Sequence, residues 1–330
     1  MSVYTVVSLD AVQDFAQRFN LHVVALNPIK GGIENTNYFV TTSDGREFVL
    51  TIFEIIPFEN AAILAELMYR LSTHGLPVAV PLADGAGQRI HILADKPAQF
   101  APRLAGSSPH LPQQAVPTIP QVEAVGIALA QFHLALQDDP LQHNTTRQTT
   151  RGHLWWARIK DELRVHMPLA HQQLVDEVFA KFDLIKQQHP DRPKGLIHAD
   201  LFRDNTLYVG SQLSGLLDFS EVMVDDWLLD IAITLNDFCS TWDDVQHPVA
   251  LNAEKVSIFL AAYQHIRPMT SDELAALPIY LAIAACRFWF LRLDVASVNH
   301  AEGRVSEDVM EKDPEEMRRM VVDRLRLAVQ

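Results

Sequence analysis

The sequence predicts an α+β chain of two lobes: a small antiparallel-sheet lobe with one main helix at residues 1–104, and a larger, mainly helical lobe at residues 105–330. Three observations lead there. Short apolar runs separated by turn signals fill the N-terminal third. A stretch rich in proline and glycine, from Lys96 to Pro120, follows them. Beyond it, apolar residues recur at spacings of three and four, the period of helices that bury one face.

Each element has its own signal. Gly31-Gly32-Ile33-Glu34-Asn35-Thr36-Asn37 is a polar, flexible loop running into the strand residues Tyr38-Phe39-Val40, and a preceding strand leads into it. Asp44-Gly45 is a hairpin signal ahead of the strand Glu47 to Phe53. From Ala61 the period turns helical: Leu64, Leu67, Met68 and Leu71 share a face, and Gly75 with Pro77 ends the helix. Ile90 to Leu93 is strand-like. In the second lobe Val122, Val125, Leu129, Phe132 and Leu136 form the stripe of a buried helix, and His133 beside it reads as a structural histidine bonded to a neighbour. Leu174, Val178 and Phe182 mark another helix, a Thr270 to Glu273 capping box starts a third, and Asp313-Pro314 opens the last. Two short strands, Thr206 to Val209 and Leu213 to Phe219, lie between them.

Composition narrows the function. The 330 residues are 48% hydrophobic and 21% charged, enough for one large core or two moderate ones. A formal charge of −14 repels nucleic-acid phosphates and anionic membranes, and no basic patch offsets it, so neither is an expected partner. Cys239 and Cys286 lack the short spacing of a zinc site or redox pair and read as buried thiols in a reducing compartment. Met1 to Asp10 has no basic residue ahead of an apolar block, so no secretory signal is expected. The most apolar stretch, Ile279 to Phe290, is broken by Arg287 and is far shorter than the roughly 20 residues a membrane span needs. A soluble cytoplasmic protein is the expectation.

The segment that carries chemistry is Ile197-His198-Ala199-Asp200-Leu201-Phe202-Arg203-Asp204-Asn205, followed by Leu216-Leu217-Asp218-Phe219. Its form is H-x-D-x-x-x-x-N, a hairpin, then D-F. Phosphoryl transfer from a magnesium nucleotide needs an acceptor for the hydroxyl proton and oxygen ligands for the metal. Asp200 suits the first role; Asn205 and Asp218 suit the second. The loop places Asp200 and Asn205 on one turn, and the hairpin returns Asp218 beside them.

These residues resemble the aminoglycoside phosphotransferase and choline kinase superfamily, which has the bilobal protein-kinase-like fold. Protein kinases proper are less similar: no Ala-Pro-Glu follows Asp218, and Ser220 stands in place of a glycine. Gly-Ile-Glu-Asn-Thr-Asn-Tyr at 32–38, Phe-Val-Leu-Thr at 48–51, Gly-Leu-Pro-Val at 75–78, His-Ala-Asp-Leu-Phe-Arg-Asp-Asn at 198–205 and Asp-Trp-Leu-Leu-Asp-Ile-Ala at 226–232 are similar to the homoserine kinases built on this fold. The resemblance implies ATP and Mg2+ as cofactors, L-homoserine as small-molecule substrate, and a step of threonine biosynthesis. It implies a nucleotide-binding N-terminal lobe using Gly31, Gly32, Thr36 and Asn37 of the loop, with Phe100 and Ala101 at a hinge. It also implies that Asp230 braces the catalytic loop from the next helix, a position that plain helix capping would explain as well.

The residues leave several roles open. Gly31 and Gly32 permit close approach to phosphate, but an ordinary hairpin turn would look similar. The strand that usually presents a phosphate-pairing lysine reads Val49-Leu50-Thr51, so Glu66, placed like that lysine's partner, has a different partner or none. Arg203 and Asp204 can serve the carboxylate and ammonium of an amino-acid substrate; equally, Arg203 can touch a phosphate and Asp204 can cap the loop. Trp155, Trp156 and Trp242 read as core or cleft wall. Two other readings stand beside a homoserine kinase: the same chemistry on an aminoglycoside, choline or methylthioribose-like sugar, and a nucleotide-binding regulatory protein without turnover, motivated by Thr51.

Overall fold

Val23–Pro28 (β1) begins a five-stranded antiparallel sheet in the computed structural model, which describes residues 5–29, 35–109, 116–143, 153–242, 249–301 and 313–328. The described residues divide into two compact units, residues 5–105 and residues 106–301 with 313–328. In the first unit β1 pairs with β2 (Asn35–Thr42), which the Asp44-Gly45 turn folds back onto β3 (Glu47–Phe53), Gly45 taking φ +82°. With β4 (His91–Leu93) and β5 (Lys96–Pro102) the order across the sheet is β1-β2-β3-β5-β4. The stretch from Lys96, expected to separate the lobes, therefore starts as a strand between two others. Its two prolines sit near its ends, while Ala98 and Phe100 between them are fully buried.

Side chains alternate across a strand, so each sheet face has its own cover. On one face Tyr38, Val40, Phe48, Leu50, Ile52 and Phe100 pack with Val12, Phe15 and Ala16 of α1 (Leu9–Ala16). This helix is not legible as a period because it makes only about two turns; the Ser8 hydroxyl caps it by accepting from Ala11 N at 3.2 Å. Toward the other face Phe53 packs with Ala61 and Ala65 of α2 (Phe58–Thr73).

The second unit holds α3 (Ile119–Ala135), α4 (His153–Arg164), α5 (Leu169–Gln188), β6 (Lys194–Ile197), the hairpin β7 (Thr206–Val209) and β8 (Gln212–Leu216), β9 (Met223–Asp226), α6 (Trp227–Phe238), α7 (Ala253–Ile266), α8 (Ser271–Ala301) and α9 (Pro314–Leu327). β6 and β9 form a second antiparallel pair. The Val122 to Leu136 stripe is buried as read. Every residue of α6 is buried, which requires an apolar helix with its few polar groups satisfied internally. At the start of α8, Thr270 N donates to the Glu273 carboxylate at 2.8 Å and Glu273 N to the Thr270 hydroxyl at 3.0 Å, the reciprocal cap read from the sequence. Within α8, Ser271–Ser297 is long and apolar enough to cross a membrane, but 78% of its apolar window is buried inside the unit, as befits a core helix. Arg287 does not interrupt it.

Candidate active site

The catalytic-loop sequence is pinned by one carboxylate from α6. Asp230, fully buried, accepts from His198 N at 2.7 Å through Oδ2 and from Ala199 N at 2.9 Å through Oδ1. Its Oδ2 also lies 3.1 Å from His133 Nε2, and His133 Nδ1 lies 2.7 Å from the Tyr263 hydroxyl. The consistent proton placement has Tyr263 donating to a neutral His133, which donates in turn to Asp230. Burial pushes the His133 pKa down, keeping it neutral. Burial alone would raise that of Asp230, but the hydrogen bonds from His133 and from the His198 amide outweigh it, leaving it below the usual carboxylate range. Of the two roles open to Asp230, the structure shows it holding the loop. Ala199 needs that hold, because it takes φ +64°, a left-handed conformation costly for a residue with a Cβ. Arg287 of α8 fixes it from the other side, donating to Ala199 O at 2.8 Å and to Glu221 Oε2 at 2.9 Å.

The hairpin then returns the chain to the loop. Thr206 pairs with Leu216, and the next peptide is gripped twice: Leu217 N donates to Asn205 O at 2.9 Å, and His198 Nε2 donates to Leu217 O at 3.0 Å. The His198 ring packs against Phe219 (5.0 Å) and Phe132 (6.2 Å), which themselves stack at 6.3 Å. The histidine of the H-x-D signature thus acts as a spacer, not as an acid or base. Held there, Asp218 turns at φ +55° and is exposed, with its Oδ1 accepting from Ser220 N and Oγ at 3.2 and 2.6 Å.

Asp200 follows Ala199 directly. Its Oδ2 and its backbone oxygen both accept from Asn205 Nδ2 at 2.8 Å, and Oδ1 accepts no hydrogen bond from the described residues. Burial first, and then the negative charge of Asp218, hold its pKa well above the usual carboxylate range, with Arg287 pulling the other way. With Nδ2 committed to Asp200, the Oδ1 of Asn205 is left as an acceptor, as is Oδ2 of Asp218. Two such oxygens fit a hard divalent cation that takes its remaining ligands from phosphate and water. Among the described residues no group of three or more His, Cys, Asp or Glu forms a closed metal site.

The other predicted residues fall in different places. The Arg203 guanidinium is buried against Asp237, its Nε and backbone N donating to Asp237 Oδ2 at 3.0 and 2.7 Å, and it lies 4.8 Å from the Trp242 ring. Asp204 is exposed. Trp155 and Trp156 are buried in their unit. Gly31 and Gly32 lie outside the described residues. In the sheet unit the register separates the nucleotide candidates. Thr36 and Phe100 point to the α1 side: Thr36 donates to Glu54 Oε1 at 2.6 Å, and Glu54 is paired with Lys96, while the Phe100 ring packs 5.5 Å from Phe15. Asn37 and Ala101 belong to the opposite face, with Thr51.

Thr51 stands directly across from Asn37, and its hydroxyl donates to Asn37 Oδ1 at 2.8 Å. Glu66 has the partner that the sequence left open: Arg70, one turn on, at 2.7 Å. The Thr51 hydroxyl is therefore used to orient Asn37. Thr51→Ala is expected to lower turnover by roughly tenfold or less, the scale of one neutral hydrogen bond. Steady-state kinetics check this; a folded variant that binds ATP but has lost nearly all activity would give the hydroxyl a direct role in the chemistry.

Residues 25–268 match the phosphotransferase enzyme family. The chain belongs to that family. Its curated relatives include the homoserine kinase of Janthinobacterium sp. (strain Marseille), 37% identical over 300 residues covering 89% of this chain and 88% of that one. The homoserine kinase of Pseudomonas aeruginosa (strain LESB58) is 33% identical over 325 residues, 98% of this chain and 96% of that one. Among solved structures, a spectinomycin phosphotransferase in complex with ADP and spectinomycin superposes with a TM-score of 0.67 at 11% identity, covering 98% of each chain. An amicoumacin kinase in complex with AMP-PNP, Ca2+ and Ami gives 0.66 at 18% identity, covering 98% of this chain and 94% of that one. These two likenesses establish the protein-kinase-like fold. Membership of the phosphotransferase family makes phosphoryl transfer the reaction class.

Sequence reasoning did not single out Arg287, Glu221 or Asp237 in the site. For Arg287 a signal existed: a lone charge within an apolar helix is tolerated in a core only with a built partner.

Proposed function

We propose that the protein is an ATP-dependent homoserine kinase that transfers the γ-phosphoryl group to the hydroxyl of L-homoserine, in the cytoplasm and as a step of threonine biosynthesis. The observation that supports the chemistry is the open Oδ1 of Asp200 on a loop held by Asp230 and Arg287. The substrate rests on relatives named homoserine kinase that are 33–37% identical over nearly the whole chain.

In this mechanism Asp200 Oδ1 takes the proton of the acceptor hydroxyl as that oxygen bonds to phosphorus and the bond to the departing diphosphate breaks. Asn205 Oδ1 and Asp218 Oδ2 would hold the metal, for which we propose Mg2+, and bound there it would supply charge neutralisation to the phosphates. Asn205 has a second duty, since its Nδ2 fixes the orientation of the base. A raised pKa suits the base, bringing its basicity closer to that of a proton acceptor at neutral pH. Asn37 and Ala101, sharing a sheet face, are the nucleotide contacts we favour, with Gly31 and Gly32 ahead of β2 in sequence. Thr36 and Phe100 contribute through the backbone, because their side chains are committed to the other face. Asp204, which is exposed, is the residue we favour for the substrate's ammonium group. Arg203 reaches a substrate carboxylate only by exchanging Asp237 for it.

Coupled measurement of ADP release over an acceptor panel tests the assignment. L-homoserine is expected to turn over at least about 100-fold faster than choline or kanamycin, the discrimination available to a site that pairs polar substrate groups. Equal or greater turnover with either competitor removes homoserine as substrate and leaves the kinase reading standing. No ADP release with any acceptor favours the regulatory reading.

A further inference from the structure

One buried polar side chain in the sheet unit has no internal use. Gln99 is paired across β3–β5 with Thr51, which is paired in turn with Asn37, so the three side chains form a row on one face of three adjacent strands. The row is neutral: carboxamide, hydroxyl, carboxamide. Two members are bonded to each other, Thr51 donating to Asn37. Gln99 is 7% exposed, yet its Oε1 is buried with no hydrogen-bond partner, and its carboxamide bonds to none of the described residues. Leaving a buried amide unmet costs on the order of 1–3 kcal/mol, and a leucine of similar size would fill the position without that cost. A group kept in this state fits a site whose partner arrives as a ligand.

The ligand's chemistry follows from what the row lacks. It offers donors and acceptors but no charge, and no internal bond fixes which end of the Gln99 amide points outward, so Nε2 can be presented to an acceptor. On the same face, Asn37 lies near the start of β2. Of the parts of a nucleotide, the phosphates are the ones rich in acceptor oxygens and in bound water that can donate to Oε1. We propose that Gln99 is a nucleotide-binding residue that hydrogen-bonds the phosphate end of ATP, in a neutral row occupying the place where a lysine was expected. This rests on the kinase reading above but not on the identity of the acceptor.

Calorimetric titration without any acceptor separates the possibilities, using MgATP and adenosine as probes of the wild type, Gln99→Leu and Gln99→Glu. Gln99→Leu is expected to weaken MgATP about tenfold, the scale of one or two neutral hydrogen bonds, while adenosine affinity stays within about twofold. Gln99→Glu is expected to weaken MgATP further, since it sets an anion against phosphate. The ligand-free Gln99→Leu protein is expected to melt no lower than the wild type, because it loses an unmet amide; Gln99→Met serves as a second apolar variant should leucine fit poorly. Unchanged MgATP affinity overturns the proposal and leaves Gln99 with an internal water. Equal losses for MgATP and adenosine overturn it in favour of a base or ribose contact. A wild type that binds no MgATP overturns this proposal and the kinase reading together, whereas normal MgATP binding with phosphorylation of some other acceptor overturns the homoserine assignment alone.

Discussion

Asp200→Asn is expected to lower turnover by about 100- to 10,000-fold and to leave MgATP affinity close to that of the wild type. The substitution removes the proposed proton acceptor and leaves both proposed metal ligands, Asn205 Oδ1 and Asp218 Oδ2, in place. Asp218→Ala is expected to differ in kind: it deletes a proposed ligand, so nucleotide affinity should fall and lose most of its dependence on Mg2+. Calorimetry on both variants tests the division of roles, which fails if their nucleotide affinities are indistinguishable.

A stability effect of opposite sign should accompany the loss of activity. Burial and the charge of Asp218 raise the folded-state pKa of Asp200 well above its unfolded value. A carboxyl with a raised folded pKa favours folding fully only below its unfolded value of about 3.9, and that contribution is lost as pH rises through the folded value. In metal-free buffer at pH 7 to 8 Asp200 therefore costs stability. The asparagine variant should melt above the wild type there and lose this advantage toward pH 4. A melting temperature below the wild type at pH 8 would contradict the account.

Removing the brace should have the larger structural consequence. Asp230→Ala takes the acceptor from two backbone N–H groups and from His133 inside a site with no solvent access. Loss of one partner from a buried charged network costs about 3–5 kcal/mol, a large share of the 5–15 kcal/mol that holds a typical protein folded. Ala199 would also be released from its left-handed conformation, moving Asp200 with it, so turnover should fall even in the fraction that folds. Asp230→Asn, which retains one acceptor oxygen, should lie between. The folded-state pKa of Asp230 is lowered, so its contribution is present above the unfolded value of about 3.9 and fades as pH falls through the folded one. The deficit measured by urea unfolding should accordingly be full at pH 7 and shrink only in acid. A deficit under about 1 kcal/mol at pH 7 would show that other contacts hold the loop.

Local signals in the sequence determined the reaction class and most of the elements. The offsets from His198 to Asp200 and Asn205, and across the hairpin to Asp218, were readable because a tight loop and a two-stranded hairpin fix geometry within a few residues. The α3 stripe and the Thr270–Glu273 cap were legible for the same reason, since helix period and capping are short-range. Which face a side chain takes and what it meets there depended on the whole sheet or core. Thr36 and Asn37 are neighbours in sequence, yet the pairing of β2 with β3 sends one to Glu54 and the other to Thr51. Arg203 sits within the signature loop, but Asp237, more than thirty residues on, claims its guanidinium. Asp230 and Arg287 reach the Ala199 peptide from α6 and α8. Only tertiary packing decided these contacts, because a buried charge goes wherever a partner can pay its desolvation, and that partner is chosen by three-dimensional proximity, which chain order does not encode.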